Sequence, residues 1–241
     1  MKDSIPRQSL TYTKLHRPRV SSELVPRPDL LKRLNAQQEL ALLLAPAGYG
    51  KTTLLSTWLD TCDRPSAWLS LDENDNDLGV FTTYVATAVQ KIFPAACTET
   101  LTLLNGITSP PSPVVARSLL NDLNTIPQEF ILVLDDYHVI HEHSIHDLMT
   151  EVLRHPPRPL YLVLSARQDP PLPLASLRAR GQVMQLRAAD LRFSLKEAAL
   201  LLHRPRLHMQ RQVEIADQMN HAREQNSDGE ERNRECDENA G

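Results

Sequence analysis

The chain has 241 residues, enough for one large domain or two small ones with a buried core. Hydrophobic residues make up 41% and charged residues 23%, and the formal net charge of -4 argues against a generally basic nucleic-acid-binding face. No apolar run approaches the roughly 20 residues of a membrane span, no signal-peptide core opens the chain, and the scattered Cys62, Cys97 and Cys236 fit a reducing cytoplasm better than a disulfide framework.

An extended, proline-punctuated lead-in over 1–24 comes first, and a short helix is expected over about 28–34. "ELALLLA" (39–45) is a continuous apolar run of strand length, as in a strand covered on both faces. A small-residue loop, 46–50, leads into a helix over about 51–60. "PSAWLSL" (65–71) reads as a second strand, with Trp68 in it and Trp58 before it taken as core aromatics. Its exit, "DENDND", reads as a solvated acidic turn. A helix is expected over 80–93, then a proline-rich loop over 94–113. Ser112-Pro113 makes a helix start, with serine as cap and proline at the first helical position.

"FILVLDD" (130–136) is the strongest strand in the sequence, and a helix follows over about 144–154. The intervening His138, His141, His143 and His146 read as an exposed loop and helix start rather than a metal cluster. "LYLVLSAR" (160–167) is another buried strand and "QVMQL" (182–186) a fifth. Ser194 and Glu197 form a capping box that opens a last helix. Strands alternating with helices imply an α/β domain, mainly a parallel sheet with helices on both faces. Domain limits are expected at 25–203, followed by a polar tail, 204–241, whose end should be disordered and whose first part holds Val213, Ala216 and Met219 at helical spacing.

A phosphate-binding loop calls for glycine, four residues, then Gly-Lys-Ser/Thr. Here the stretch reads Ala45-Pro46-Ala47-Gly48-Tyr49-Gly50-Lys51-Thr52. The loop must curl successive N–H groups around an anion, which Gly48 and Gly50 permit. Ala45 sits at the strand exit, where a small residue at negative φ suffices. The backbone of Ala47, Gly48, Tyr49 and Gly50, with Lys51, Thr52 and Thr53 at the helix N-terminus, would cradle the phosphates. Lys51 would meet the β- and γ-phosphates and Thr52 the Mg²⁺.

The second half of the site requires an acidic residue at the end of a buried strand. Asp135 would hold Mg²⁺, and Asp136 would orient or activate a hydrolytic water; an ordinary acidic turn is the alternative. Arg167, ending its own strand, is placed to sense the γ-phosphate, with a surface ion pair as the alternative. Arg178, Arg180 and Arg187 read equally well as nucleotide-sensing and as solvated groups.

These segments resemble a family. "LVPRPDLL", "APAGYGKTTLLSTWL", "WLSLDENDND", "ILVLDDYHVI", "LVLSAR" and "LRARGQVMQLRAADLRFSLKEA" follow the order found in the large ATP-dependent LuxR-type transcription regulators of the STAND class, over about residues 12–203. A small residue at Ala45 is typical of that family. The resemblance implies a P-loop NTPase fold and a switch, at most a slow regulatory ATPase. ADP would hold a monomeric resting state, ATP would permit self-association, and hydrolysis would reset it. It assigns Lys51 and Thr52 to phosphate and Mg²⁺, Asp135 to Mg²⁺, Asp136 to water and Arg167 to the γ-phosphate. It places Val25 to Asp29 near the adenine, with Arg27 as the residue to test. Family members continue into winged-helix, helical-repeat and helix-turn-helix domains. The chain after about 203 follows none of these, so a truncated regulator without direct DNA binding is expected. A metabolic phosphotransferase and a non-signalling interaction protein are the competing functions.

Overall fold

A computed structural model of the chain describes residues 10–20, 24–35, 39–106, 108 and 110–202. The tail expected over 204–241, with Cys236, lies outside the described residues, as does the helical spacing around Met219. The described residues divide into two units, with the boundary between Arg192 and Phe193.

In the first unit, strands β1 (Leu40–Leu44), β2 (Ser66–Ser70), β3 (Phe130–Asp135), β4 (Leu160–Ala166) and β5 (Val183–Arg187) form one parallel sheet of order β2-β3-β4-β1-β5. Helices α1 (Pro28–Leu34), α2 (Lys51–Asp60), α3 (Leu78–Gln90), α4 (Thr98–Leu104), α5 (Ser112–Asn124), α6 (His143–Arg154), α7 (Leu174–Ala179) and α8 (Ala188–Leu191) complete it.

The continuous apolar runs work as two-sided strands. Alternate residues of β1 serve opposite faces: Leu40, Leu42 and Leu44 pack with α3, α5 and α6, whereas Ala41 and Leu43 pack with α1 and α2. In β3, Phe130, Leu132 and Leu134 join the first layer, and Ile131 and Val133 the second. Each fully buried aliphatic side chain contributes about 1.5–3 kcal/mol, so these two apolar layers dominate the stability of the unit. Trp58 and Trp68 both lie in the second layer, with their indole N–H groups donating to Asn35 Oδ1 at 2.7 Å and Ser70 Oγ at 2.8 Å.

Three expectations change. The loop expected over 94–113 contains α4, a seven-residue helix too short to announce itself in sequence. It is held from α5, where buried Asp122 accepts from the Thr100 N–H at 2.8 Å and hydroxyl at 2.7 Å. Ser112 is the first residue of α5 rather than its cap, and its hydroxyl donates to the Ser144 carbonyl instead.

The third change concerns "DENDND", which is not a solvated turn. Asp75 is 1% exposed and meets Lys14 Nζ at 2.7 Å. Asp72 shares that ammonium at 2.8 Å, and Asp77 caps α3 by accepting from Val80 N–H. Burial disfavours the Lys14 charge, but its bonds to Asp72 and Asp75 outweigh that and raise it above its ordinary value.

In the second unit, residues 195–202 are helical, and the expected capping box is present: Glu197 N–H donates to Ser194 Oγ, and Ser194 N–H to the Glu197 carboxylate.

Three carboxylates tie stability to pH. Burial works against Asp72, yet Lys14 and the Asn74 N–H hold it below its usual range. Asp169 is lowered by Arg178 and Arg187, and Asp190 by Arg33 and the Arg187 N–H. A depressed folded pKa gives stability that is present above the unfolded value, about 3.9, and lost as pH falls through the folded one. The urea midpoint should therefore fall with acidification below about pH 4. A midpoint flat from pH 5 to about pH 3 would contradict this contribution.

Candidate nucleotide site

Parallel strands bring their C-terminal ends to one edge of the sheet, and the loops at 45–50, 71–77, 135–142 and 167–173 all leave from it. β4 lies between β1 and β3, so the exit of Arg167 falls between the phosphate-type loop and Asp135.

Ala45 still belongs to the sheet ladder, its N–H donating to the Ala166 carbonyl at 3.3 Å. Among the described residues only Cys97 and Asp136 combine positive φ with a side chain, so Ala45 is unstrained without being glycine. Gly48 and Gly50 have φ of 83° and 73°. A Cβ at either would meet nothing within 4 Å, so the dihedral rather than space selects glycine. Ala47 is exposed at the loop's crest, and Tyr49 leans on the α1/α2 layer.

Gly50 caps α2, which leaves the N–H groups of Lys51, Thr52 and Thr53 without helical acceptors. Lys51 is 6% exposed, and its ammonium donates to the carbonyls of Ala45 at 2.8 Å and Pro46 at 3.2 Å. Burial lowers its pKa, while the charges of Asp136 and Asp135 oppose that.

Thr52 Oγ1 donates to Asp135 Oδ2 at 2.8 Å, joining α2 to the end of β3. Burial raises the Asp135 carboxyl above its usual range, against the Thr52 hydrogen bond. The Ser165 hydroxyl lies near enough to favour the charged form, yet makes no hydrogen bond within 3.5 Å. Hydroxyl and carboxylate oxygens side by side are the hard donors that Mg²⁺ prefers. The residues therefore fit a magnesium nucleotide.

Asp136 follows at φ 60°, and its side chain is half exposed. Arg167 is exposed at the end of β4, its charge acting on Lys51 and on His138, and it pairs with no described residue. Arg27 stands elsewhere. Its guanidinium donates to the carbonyls of Leu191 at 2.8 Å and Arg192 at 2.9 Å, and so ties the start of α1 to the end of α8. Arg178 and Arg187 both pair with Asp169.

The histidine run is not simply an exposed loop. His146 is 8% exposed and its Nδ1 lies 2.9 Å from the Tyr137 hydroxyl, while His138 tucks in beside Asp136. No sequence pattern signalled this, because burial of His138 depends on the turn made by the residues before it.

A glycine turn around a buried lysine, joined by a threonine to an aspartate two strands away, makes this an α/β domain of the P-loop NTPase class. Within that class, its sequence resembles the N-terminal region of the MalT-type transcriptional regulators. It is 36% identical over 192 residues to the HTH-type transcriptional regulator MalT of Yersinia enterocolitica, and 36% over 191 residues to that of Cronobacter sakazakii. Each match covers 78% of this chain and 21% of the relative, so the chain spans about a fifth of the length of these curated relatives. No protein-family model matches.

Among solved structures, Cdc6p from Pyrobaculum aerophilum aligns over 73% of this chain and 49% of its own, at 17% identity and a TM-score of 0.44. A Drosophila ORC structure bound to AT-rich DNA and Cdc6 aligns over 71% of this chain and 56% of its own, at 14% identity and a TM-score of 0.43. Neither likeness bears on what this chain binds. Among the described residues no helix is long and apolar enough to cross a membrane.

Proposed function

We propose that this chain is an ATP- and ADP-binding switch module of a LuxR-type transcription regulator, with slow hydrolysis as its reset. The observation that carries the reading is the buried Lys51 ammonium at the start of α2, with the Thr52–Asp135 contact of 2.8 Å beside it. The carbonyls that hold Lys51 are neutral acceptors, so anionic phosphate oxygens compete well for its protons.

The free N–H groups at the start of α2 and along 47–50 would bind the phosphates. Thr52 and Asp135 would hold Mg²⁺, which when bound neutralises charge on the β- and γ-phosphates. Asp136 would accept a proton from the attacking water as its oxygen bonds to the γ-phosphorus. The bond to the β–γ bridging oxygen then breaks, and ADP leaves. Arg167, unpaired among the described residues and set between the loop and β3, would contact the γ-phosphate. The Val25 to Asp29 segment would border the adenine, with Arg27 fixing that segment through the carbonyls it holds rather than touching the base. Self-association in the ATP state, and control of transcription by the whole regulator, belong to this proposal.

Purified under native conditions, the chain should carry ADP and turn over ATP slowly. Chromatography of the released nucleotide and a phosphate-release assay check both. Rapid phosphate transfer to a small metabolite would move the function to a metabolic phosphotransferase. Absence of any nucleotide binding would leave a fold that only makes protein contacts.

A further inference from the structure

The nucleotide site lies at the edge of the sheet where its strands end. At the opposite edge, where they begin, is a cavity of about 310 Å³, at the lower end of the range for small-molecule sites. Glu39 borders it before β1, Arg64 before β2, Glu129 before β3, and Pro157, Pro159 and Tyr161 around the start of β4. Its rim is stiff. The Pro159 carbonyl accepts from the Phe130 N–H at 2.8 Å, and the Pro157 carbonyl from the Leu160 N–H at 3.0 Å. Each proline ring also fixes its own φ.

Glu39 is only half satisfied. Its Oε1 accepts from Gln182 Nε2 at 2.9 Å, whereas Oε2 is a buried atom without a hydrogen-bond partner. Oε1 of the same Gln182 amide is likewise buried and unpaired. Buried polar atoms seldom stay unpaired. A charged acceptor with a neutral acceptor close by calls for a cationic donor, and an ammonium group has three N–H donors and no acceptor.

Arg64 brings the opposite charge to the same cavity. Its guanidinium lies 5.2 Å from the centre of the Tyr161 ring, and that ring is held by its hydroxyl, which donates to the Leu34 carbonyl at 3.1 Å. Arg64 pairs with Glu129 rather than with Glu39, and at 3.8 Å the contact is too long for a hydrogen bond. The Glu129 side chain is also 65% exposed, where an ion pair contributes little. The guanidinium donors therefore remain available to a carboxylate, which arginine binds in a bidentate manner.

We infer that this cavity binds a free α-amino acid, with its ammonium on Glu39 Oε2 and its carboxylate on the Arg64 guanidinium. A simple amine would satisfy Glu39 but meet the like charge of Arg64. A simple carboxylate would meet the like charge of Glu39. Only a ligand carrying both groups is matched by both residues, so the arrangement selects by repulsion as well as attraction. An apolar side chain would lie against Pro157 and Pro159. The inference uses no residue of the nucleotide site and stands apart from the ATPase reading.

The test is calorimetric titration of the full chain with the common L-amino acids, with L-leucine as the first probe. Isoamylamine, which is leucine without its carboxylate, and 4-methylpentanoate, which lacks the ammonium, should each bind at least tenfold more weakly than leucine. Glu39→Gln keeps an acceptor for Gln182 and removes the charge, and should weaken leucine binding about tenfold or more. Arg64→Met keeps the stem over Tyr161 and should weaken it similarly. Lys51→Ala, at the other edge, should bind leucine as the unaltered chain does. Thermal melts show whether each variant is folded, and half-exposed Arg64 carries the test if Glu39→Gln is not.

Absence of binding by every amino acid at millimolar concentration would overturn the inference and leave the ATPase reading untouched. So would amine or carboxylate probes that bind as tightly as leucine, equal leucine affinity in a folded Arg64→Met chain, or loss of leucine binding in Lys51→Ala.

Discussion

Replacing Asp136 with asparagine should slow ATP hydrolysis by about 10²- to 10⁴-fold, the range a general base contributes, while ATP binding changes little. The separation of rate from affinity follows from placement. Asp136 is half exposed at the mouth of the turn and makes no hydrogen bond to the phosphate-type loop, whereas its neighbour Asp135 is buried and bonded to Thr52. Asparagine keeps the shape and tolerates the φ of 60°, so the turn should survive the exchange. Asp135→Asn should act differently. On the proposed assignment it removes a charge from an Mg²⁺ ligand, and the loss should show in the Mg²⁺ dependence of ATP binding. Single-turnover rates and Mg²⁺ titrations of both variants check the division of labour. An Asp136→Asn chain that hydrolyses ATP at the unaltered rate would remove Asp136 from the chemistry.

Lys14→Ala should cost about 3–5 kcal/mol of stability, the penalty for leaving a buried charge without its partner. Asp75 is 1% exposed, and its carboxylate takes both a bidentate contact from Lys14, at 2.7 and 2.8 Å, and the Asp72 N–H at 2.8 Å. The lysine also lies 4.9 Å from the centre of the Tyr84 ring, and the Tyr84 hydroxyl accepts from the Thr11 N–H. One side chain thus fastens the segment before α1 to the loop after β2. At about 2–4 °C per kcal/mol for a chain of this size, Tm should fall by roughly 10 °C. Lys14→Met keeps the stem and loses the charge, and should be nearly as damaging. Adding Asp75→Asn should recover part of the loss, because it removes the stranded charge. Thermal melts of the three variants test this, and a Lys14→Ala chain with unchanged Tm would contradict it.

The second case also shows where sequence reasoning reached its limit. β1, β3 and β4 were legible because a strand covered on both faces must be apolar at every position. α2 was legible because glycine, lysine and threonine mark its start, and α6 because its apolar residues share one face. The polar structure was not legible. Whether "DENDND" is solvated depends on Lys14, 61 residues from Asp75. Whether α4 forms depends on Asp122, 22 residues from Thr100.

The site divides in the same way. Lys51, Thr52, Asp135, Asp136 and Arg167 come from short motifs at strand ends, and the parallel sheet brings all five to one edge. His138 was read as part of an exposed loop, because its place beside Asp136 is made by a backbone dihedral, which composition does not announce. Arg27 was read for its position before the loop, while its donors go to carbonyls more than 160 residues away.

The missing first glycine has a local explanation. Ala45 stays paired with β4 at negative φ, and the turn that needs glycine begins only at Gly48. A nucleotide-binding loop is therefore compatible with this sequence as it stands. Calorimetric titration of the chain and of Lys51→Ala with MgATP and ADP tests the central claim most directly. A charge-assisted contact is worth about 1.5–3 kcal/mol, so the substitution should weaken binding by roughly tenfold or more. Equal affinities for the two proteins, or no binding by the unaltered chain, would contradict it.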